Sequence, residues 1–402
     1  MRKKSFLKRT LQPIIPIISL TTILCLAIGC GSPALAPTPV PVRAQPPLGA
    51  ATPTLPPASS PTPVPTVERR AGDLSGEAAA TLTSLEKVDD YPLYVMHYHG
   101  AYNPEARRGE ASGEKRAFFQ PQNIVPLASP LLSLTPLPPA WGCSLFVAPG
   151  KADNGLYGRN FDWVPSPAVL LFTAPPDGYA SVSMVDITYL GLEGSEASRL
   201  TDVPLEERQA LLGAPFIPFD GMNEYGFTVG MAAVSSDETP YDPAKETIGS
   251  LRAIREMLDH ARNVDEAVAL LQSYNITMGD DGPPIHYLIA DSARRSALVE
   301  FYAGEMVIIA NENAWHLATN HFHTAADETG HSGCWRYDKM YQRLTETGGQ
   351  LATQDALDLL AGVSQESTQW SVVYGMTTGD VNVAMGRKYT AVHTFHLRLV
   401  GR

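Results

Sequence analysis

The sequence is short of the residues that build the commonest kinds of site. It holds four cysteines in 402 residues: Cys25, Cys30, Cys143 and Cys334. Two of them sit near the amino end, so the body keeps one possible pair and a disulfide framework is excluded. There is no GxSxG, no HExxH and no glycine-rich phosphate loop. That removes the serine-hydrolase elbow, the zinc-protease helix and the P-loop. Basic blocks are also missing once Arg2, Lys3, Lys4, Lys8 and Arg9 are passed, and the formal net charge is -12. This argues against a nucleic-acid partner and against docking on anionic lipid by charge. No internal repeat is present, which excludes a solenoid.

What is there starts with a leader. A basic start is followed by an apolar run from about Ile14 to Ile28, broken by Pro16. This reads as a secretory signal and is too short for a spanning helix. Leu26-Ala27-Ile28-Gly29-Cys30 resembles a bacterial lipobox, with Ala27 where leucine is preferred. Cys30 would then carry a diacylglycerol and tie the protein to a membrane. The alternative is a plain signal peptide cut near Ala34 or Ala36. Residues 31–66 hold twelve prolines in thirty-six positions, a composition that builds no core and favours an extended tether. The expected organisation is a lipoprotein signal peptide at 1–30, a Pro-rich tether at 31–66, a leading segment at 67–142 and the main domain at 143–402. The expected location is exported and lipid-anchored at the bacterial cell envelope.

Within the body, WGCSLFVAPGKADNGLYGRNFDW (141–163) reads as strand, turn, strand. Cys143, Leu145 and Val147 alternate with the period of a half-buried strand. Pro149 to Gly155 supply turn chemistry. A thiol, a guanidinium (Arg159) and a carboxylate (Asp162) are brought near one another by local geometry. A core cysteine beside a surface ion pair is the plainer reading of the same residues.

Cys143-Ser144 followed by GRNFDW, with Arg159 and Asp162 sixteen and nineteen residues on, resembles the start of the catalytic chain in the choloylglycine hydrolase and penicillin V acylase group. These are N-terminal-nucleophile (Ntn) amide hydrolases, with acid ceramidase and acyltransferase relatives. The resemblance implies an α+β fold, the four-layer αββα sandwich of two antiparallel sheets, and a catalytic domain at 143–402. It implies hydrolysis of a non-peptide linear amide, with a small-molecule N-acyl amide as substrate and no cofactor. It also implies that the base is the α-amine of Cys143 itself, which requires cleavage at Gly142-Cys143. A free α-amine titrates near ~7.7–8.0, where a base is useful at neutral pH. Gly142 is expected to tolerate the strained backbone of that step.

Further residues extend the likeness. DGMNEYGF around Asn223 matches a landmark and gains no catalytic role. Ala233 stands where the bile-salt enzymes carry an asparagine near the oxyanion, so its backbone N–H is the implied donor. Asn320, in Ala318-Thr319-Asn320-His321-Phe322, would aim its side-chain amide at the oxyanion. Arg336 aligns with a late arginine at a helix start. Arg159 and Asp162 would hold the amine and the thiol. The pairs His97/His99 and His321/His323 lack the further ligands of a metal site, and no metal is expected. Acyl transfer, or a non-catalytic ligand-binding surface lipoprotein, are the competing readings.

For the remaining chain, periodicity predicts helices over Ser75–Lys87, Leu205–Leu212, Thr247–Ala261, Val264–Tyr274, Trp335–Leu344 and Thr353–Leu360. Strands are predicted around Tyr91–His99, Phe227–Val234, Ile285–Ala290, Ala297–Tyr302 and Thr390–Val400, with a turn at Asp220–Gly226.

Overall fold

In this computed structural model, residues 74, 76–102, 142–150, 154–235, 239–278, 283–325 and 333–401 are described. The signal peptide, Cys30, the tether, Ser75 and residues 103–141 lie outside the described residues. Helix α1 (Gly76–Thr83) ends earlier than its pattern predicts. Glu86 and Lys87 instead enter strand β1 (Glu86–Asp89) and pair with Val95 and Tyr94 of β2 (Leu93–His97). Cross-strand pairing overrides a modest helical preference here.

β3 (Gly142–Ala148) and β4 (Leu156–Asp162) form the expected hairpin, in register from Gly142↔Asp162 to Ala148↔Leu156. Every residue of both strands is buried, so neither face is wet. Cys143, Leu145 and Val147 enter the apolar layer between two sheets. Phe146 and Ala148 face a second apolar cluster that includes Met340, Leu344, Leu357 and Leu360. A Cβ on Gly158 would lie 2.3 Å from the Phe146 ring, so the ring can lie across the strand there because residue 158 is glycine. Burying such a side chain contributes about 1.5–3 kcal/mol.

The chain continues through β5 (Ala168–Thr173), β6 (Ser181–Asp186), a 3-10 run at Leu205–Phe216, β7 (Asp220–Asn223) and β8 (Thr228–Ala233). Asp220 to Asn223 is thus strand, where a turn is predicted. β9 (Thr247–Gly249) precedes α2 (Ser250–His260), and α3 (Val264–Gln272) precedes β10 (Asn275–Thr277). Asn263 caps α3, its Oδ1 accepting the Glu266 N–H at 3.0 Å. Then come β11 (Ile285–Ala290), β12 (Ser296–Tyr302), β13 (Glu305–Ala310) and β14 (His316–Ala318). Helices α4 (Trp335–Thr347) and α5 (Thr353–Gly362) lead to β15 (Thr368–Gly375), β16 (Asp380–Met385) and β17 (His393–His396).

The class is α+β with two large sheets, as expected. Among the described residues, one has nine strands in the order β1-β2-β5-β6-β7-β8-β11-β12-β13, the other six in the order β14-β3-β4-β15-β16-β17. The larger sheet is not purely antiparallel: β2 runs parallel to β5, from Leu93↔Ala168 to His97↔Phe172. A parallel neighbour needs a long crossover, and the chain between these strands, which includes the β3–β4 hairpin, supplies it. β9 and β10 make a separate parallel pair. α2 packs on β7 and β8 and α3 on β11 and β12, while α4 covers β3 and β14 and α5 covers β4 and β15. The sheets meet chiefly through β3 against β8.

His316 offers a test of this packing. It is buried on β14, its Nδ1 3.2 Å from Ser296 Oγ. Burial, aided by the charge of His286, pulls its pKa down to about 4. A histidine lowered in the fold binds fewer protons than in the unfolded chain, so its contribution is present at neutral pH and lost as pH falls below the unfolded value. Wild type should therefore lose roughly 1–2 kcal/mol more stability than His316→Asn between pH 7 and 5, measured by denaturant unfolding at each pH. Equal losses would contradict the assignment.

Candidate active site

The β3–β4 register decides which side chains meet. Cys143 lies opposite Phe161, and Leu145 opposite Arg159, so thiol and guanidinium share the face that points between the sheets. Arg159 Nη2 lies 3.8 Å from Cys143 Sγ. Its Nη1 donates to the Phe219 carbonyl at 2.6 Å and to the Asp220 carboxylate. Arg159 and Asp220 are both fully buried. Asp220 also accepts from Tyr374 OH at 2.5 Å and Trp370 Nε1 at 3.3 Å. Sequence reasoning left Asp220 as a turn residue. The available signal was its place directly after the apolar run Phe216 to Phe219, where an acidic side chain needs a buried partner.

Asp162, opposite Gly142, is directed away from the thiol face. Its carboxylate accepts from Thr368 Oγ1 at 2.5 Å and Gln365 Nε2 at 2.6 Å. A Cβ built on Gly142 would lie 2.5 Å from Gln365 Nε2 and 3.4 Å from both Asp162 Oδ2 and Arg336 Nη2. Gly142 does not adopt positive φ. The absent side chain leaves room for the Gln365 amide beside the Gly142-Cys143 bond, with Asp162 and Arg336 at ordinary contact distance.

Asn320 reaches Cys143 because β14 pairs with β3, ending at Ala318↔Leu145, and the chain runs on two residues. Its Oδ1 accepts the Cys143 backbone N–H at 2.7 Å and Arg336 Nη2 at 2.9 Å. Its Nδ2 donates to the Ala233 carbonyl at 2.8 Å. Two donors on one atom and an acceptor on the other fix the amide's orientation. Arg336, in the first turn of α4, also donates to the Cys143 carbonyl and to Ser144 Oγ at 3.1 Å. So Cys143, Arg159, Asn320, Arg336 and Ala233 converge, and Asp162 stands behind them. Asn223 instead serves the fold: its Nδ2 donates to the carbonyls of Leu258 and Ala261 and its Oδ1 takes the Phe227 N–H.

Cys143 lines a small, partly open pocket with Phe161, Trp163, Tyr189, Phe219, Met231 and Ala233. Burial raises the thiol's pKa above its ordinary value; the Arg159 charge opposes this and Asp162 adds to it. The thiol is therefore neutral at physiological pH and needs a base to react. Burial likewise raises Asp162, against its hydrogen bonds. Cys143 and Cys334 are both free thiols. Among the described residues, no group of three or more His, Cys, Asp or Glu could hold a metal ion.

Residues 210–380 match the family model described as Acyl-coenzyme A:6-aminopenicillanic acid acyl-transferase. That stretch is similar to an acyltransferase family. It bears out the resemblance read from the sequence, which placed acyltransferases beside the choloylglycine hydrolase and penicillin V acylase group. The matched stretch contains Asp220, Ala233, Asn320 and Arg336 and begins after Cys143, Arg159 and Asp162. No curated protein matches. Among solved structures the chain is similar to a mutant conjugated bile acid hydrolase from Clostridium perfringens, at 13% identity over 63% of this chain and 92% of that one, TM-score 0.46. It is similar to penicillin V acylase from Agrobacterium tumefaciens at 17% identity, over 63% and 86%, TM-score 0.44. It is also similar to the Caenorhabditis elegans ortholog of N-acylethanolamine-hydrolyzing acid amidase at 15% identity, over 63% and 100%, TM-score 0.41.

The Arg159–Asp220 pair makes a stability prediction. Asp220→Ala leaves a buried guanidinium without its counter-charge and should cost about 3–5 kcal/mol in denaturant unfolding. A loss within ~0.5 kcal/mol would mean that water reaches Arg159.

Proposed function

We propose that this chain is an Ntn amidohydrolase that cleaves the non-peptide C–N bond of a linear N-acyl amide with Cys143 as nucleophile. One observation carries the reading. A thiol beside a buried guanidinium, its backbone nitrogen bonded to Asn320, opens on a cavity lined largely by apolar side chains. In the intact chain that nitrogen is a peptide nitrogen and cannot act as a base. Cleavage between Gly142 and Cys143 would turn it into an amine on the same residue as the thiol. The amine takes the thiol proton, the sulfur attacks the amide carbonyl, and the amine returns the proton to the leaving nitrogen. Water then hydrolyses the thioester and releases the acid. Arg159 steadies the developing thiolate. Asn320 Nδ2, or a backbone N–H near Ala233, takes the oxyanion. The helix pairs on the two sheets suit the αββα sandwich of this clan.

A second reading, acyl transfer, is favoured by the acyltransferase family match over 210–380. The same acyl-cysteine would then pass its acyl group to an amine instead of water, with an acyl-coenzyme A as donor and 6-aminopenicillanic acid as acceptor on that family's name. A ligand-binding lipoprotein without catalysis is the third. Export and lipidation at Cys30 belong to the proposal. No helix among the described residues is long and apolar enough to cross a membrane.

Mass spectrometry of purified protein should find a chain starting at Cys143. Hydrolysis across a panel of acylated amines should vanish in Cys143→Ala, which should also remain uncleaved. Asn320→Ala should lose about 10²–10³ in kcat. Activity from an intact chain would refute the amine mechanism. Acyl groups appearing on an added amine in preference to water would select transfer.

After cleavage the leading segment should stay bound. β1 and β2 belong to the larger sheet, Asp89 is bonded to Lys388 (3.0 Å) and His393 (2.8 Å), and Tyr91 OH to Gln369 (2.8 Å). Residues before and after the cut should co-elute in size exclusion without denaturant. Separate elution of the two pieces would count against this arrangement.

A further inference from the structure

Glu300, on β12, is fully buried and has more partners than its place in the sheet requires. Its Oε1 accepts the His323 N–H at 2.7 Å. Its Oε2 accepts the Thr324 N–H at 2.9 Å and the Thr324 hydroxyl at 2.6 Å. From the neighbouring strand, His286 places Nδ1 3.3 Å from Glu300 Oε1 and Nε2 2.8 Å from the Thr319 carbonyl. Both ring nitrogens thus lie within hydrogen-bond reach of an oxygen.

These bonds fall on either side of one residue. Thr319 precedes Asn320, and His323 and Thr324 follow it. The segment has just left β14, whose last ladder pair is Ala318↔Leu145, so backbone pairing with β3 no longer sets its height. We propose that Glu300, together with His286, is a positioning residue that holds Asn320 against Cys143 by gripping both flanks of the 319–324 segment. A side chain that must sit within about 0.5 Å of a working geometry needs its supporting loop fixed in this way. His321 and His323, stacked at 4.9 Å and edge-on to Tyr337, add packing to the same segment. Burial works against the charge on Glu300, but hydrogen bonds from His286 and Thr324 and the charge of His286 outweigh it and bring its pKa down to about 2. Its contribution is therefore present above the unfolded carboxylate value and is lost as pH falls below that value and through the folded one.

The inference rests on the proposed pairing of Cys143 with Asn320, so its test separates the two. Alkylation of Cys143 by iodoacetamide in the full chain, read by peptide mass spectrometry, needs no substrate. If Glu300 acts through Asn320, Glu300→Gln shifts the labelling rate in the direction of Asn320→Ala by at least about threefold, and the double variant goes no further than Asn320→Ala alone. Thr324→Val shifts it part of the way, and Thr324→Ser restores it. If Asn320→Ala shifts labelling while a Glu300→Gln protein with a cooperative melt labels at the wild-type rate, the clamp is overturned and the site stands. Additive effects in the double variant overturn it too. An Asn320→Ala protein that labels like wild type removes both the clamp and the pairing it rests on. Should Glu300→Gln not fold, Thr324→Val decides the matter, and a wild-type rate there overturns the proposal.

Discussion

A guanidinium and a carboxylate sealed from water set where the cysteine can sit. Arg159 belongs to the six-stranded sheet and Asp220 to the nine-stranded one, so their pair is a polar pin through an otherwise apolar layer. Neither charge could remain there alone, since burying one unpaired costs several kcal/mol. The aromatic residues around the pin answer this requirement. Tyr374 and Trp370 donate to Asp220, and Phe161 lies under the guanidinium with 5.0 Å between its centroid and Arg159 Cζ. Phe161 stacks in turn on Trp370 at 4.1 Å. The second nitrogen of Arg159 is then left pointing at Cys143 Sγ. The sheets cannot slide over each other without breaking the pin, and this holds the thiol in register with β8 and the cavity wall.

The parts legible in the sequence were those fixed by short-range rules. The Cys143–Asp162 hairpin follows from alternation around a glycine-rich turn. The α3 cap follows from Asn263. The β11–β12 hairpin follows from two apolar runs around Asp291. Long-range pairing was not legible. Nothing in Leu93–His97 announces a parallel partner 75 residues away in sequence, from Leu93 to Ala168. Glu86 and Lys87 look helical until β2 is available to pair with them. Asp220 looked like a turn because its glycine-rich neighbourhood is local, whereas its partner Arg159 lies 61 residues back. Within the site, Cys143, Arg159, Asn320 and Arg336 were nominated by the resemblance to the choloylglycine hydrolase and penicillin V acylase group, and the chain brings all four together. The direction of the Asn320 amide could not be foreseen. It depends on which donors surround Oδ1, and those come from β3 and α4.

That direction bears on the proposed chemistry. Asn320 Oδ1 accepts from the Cys143 nitrogen, and a peptide N–H can supply that bond. So can an amine, which has hydrogens to spare and also a lone pair. Under the proposed reading, the contact would survive cleavage. In a neutral amine one hydrogen stays on Asn320 while the lone pair is free to turn towards the thiol on the same residue. Arg336 holds Asn320 Oδ1 and the Cys143 carbonyl at once, so the residue that would move the proton is anchored at both ends of its backbone. What cleavage changes, under the proposed reading, is the basicity of one nitrogen, from a peptide without a usable lone pair to an amine near neutrality. Under that reading, a site prepared in this way would need little rearrangement on maturation.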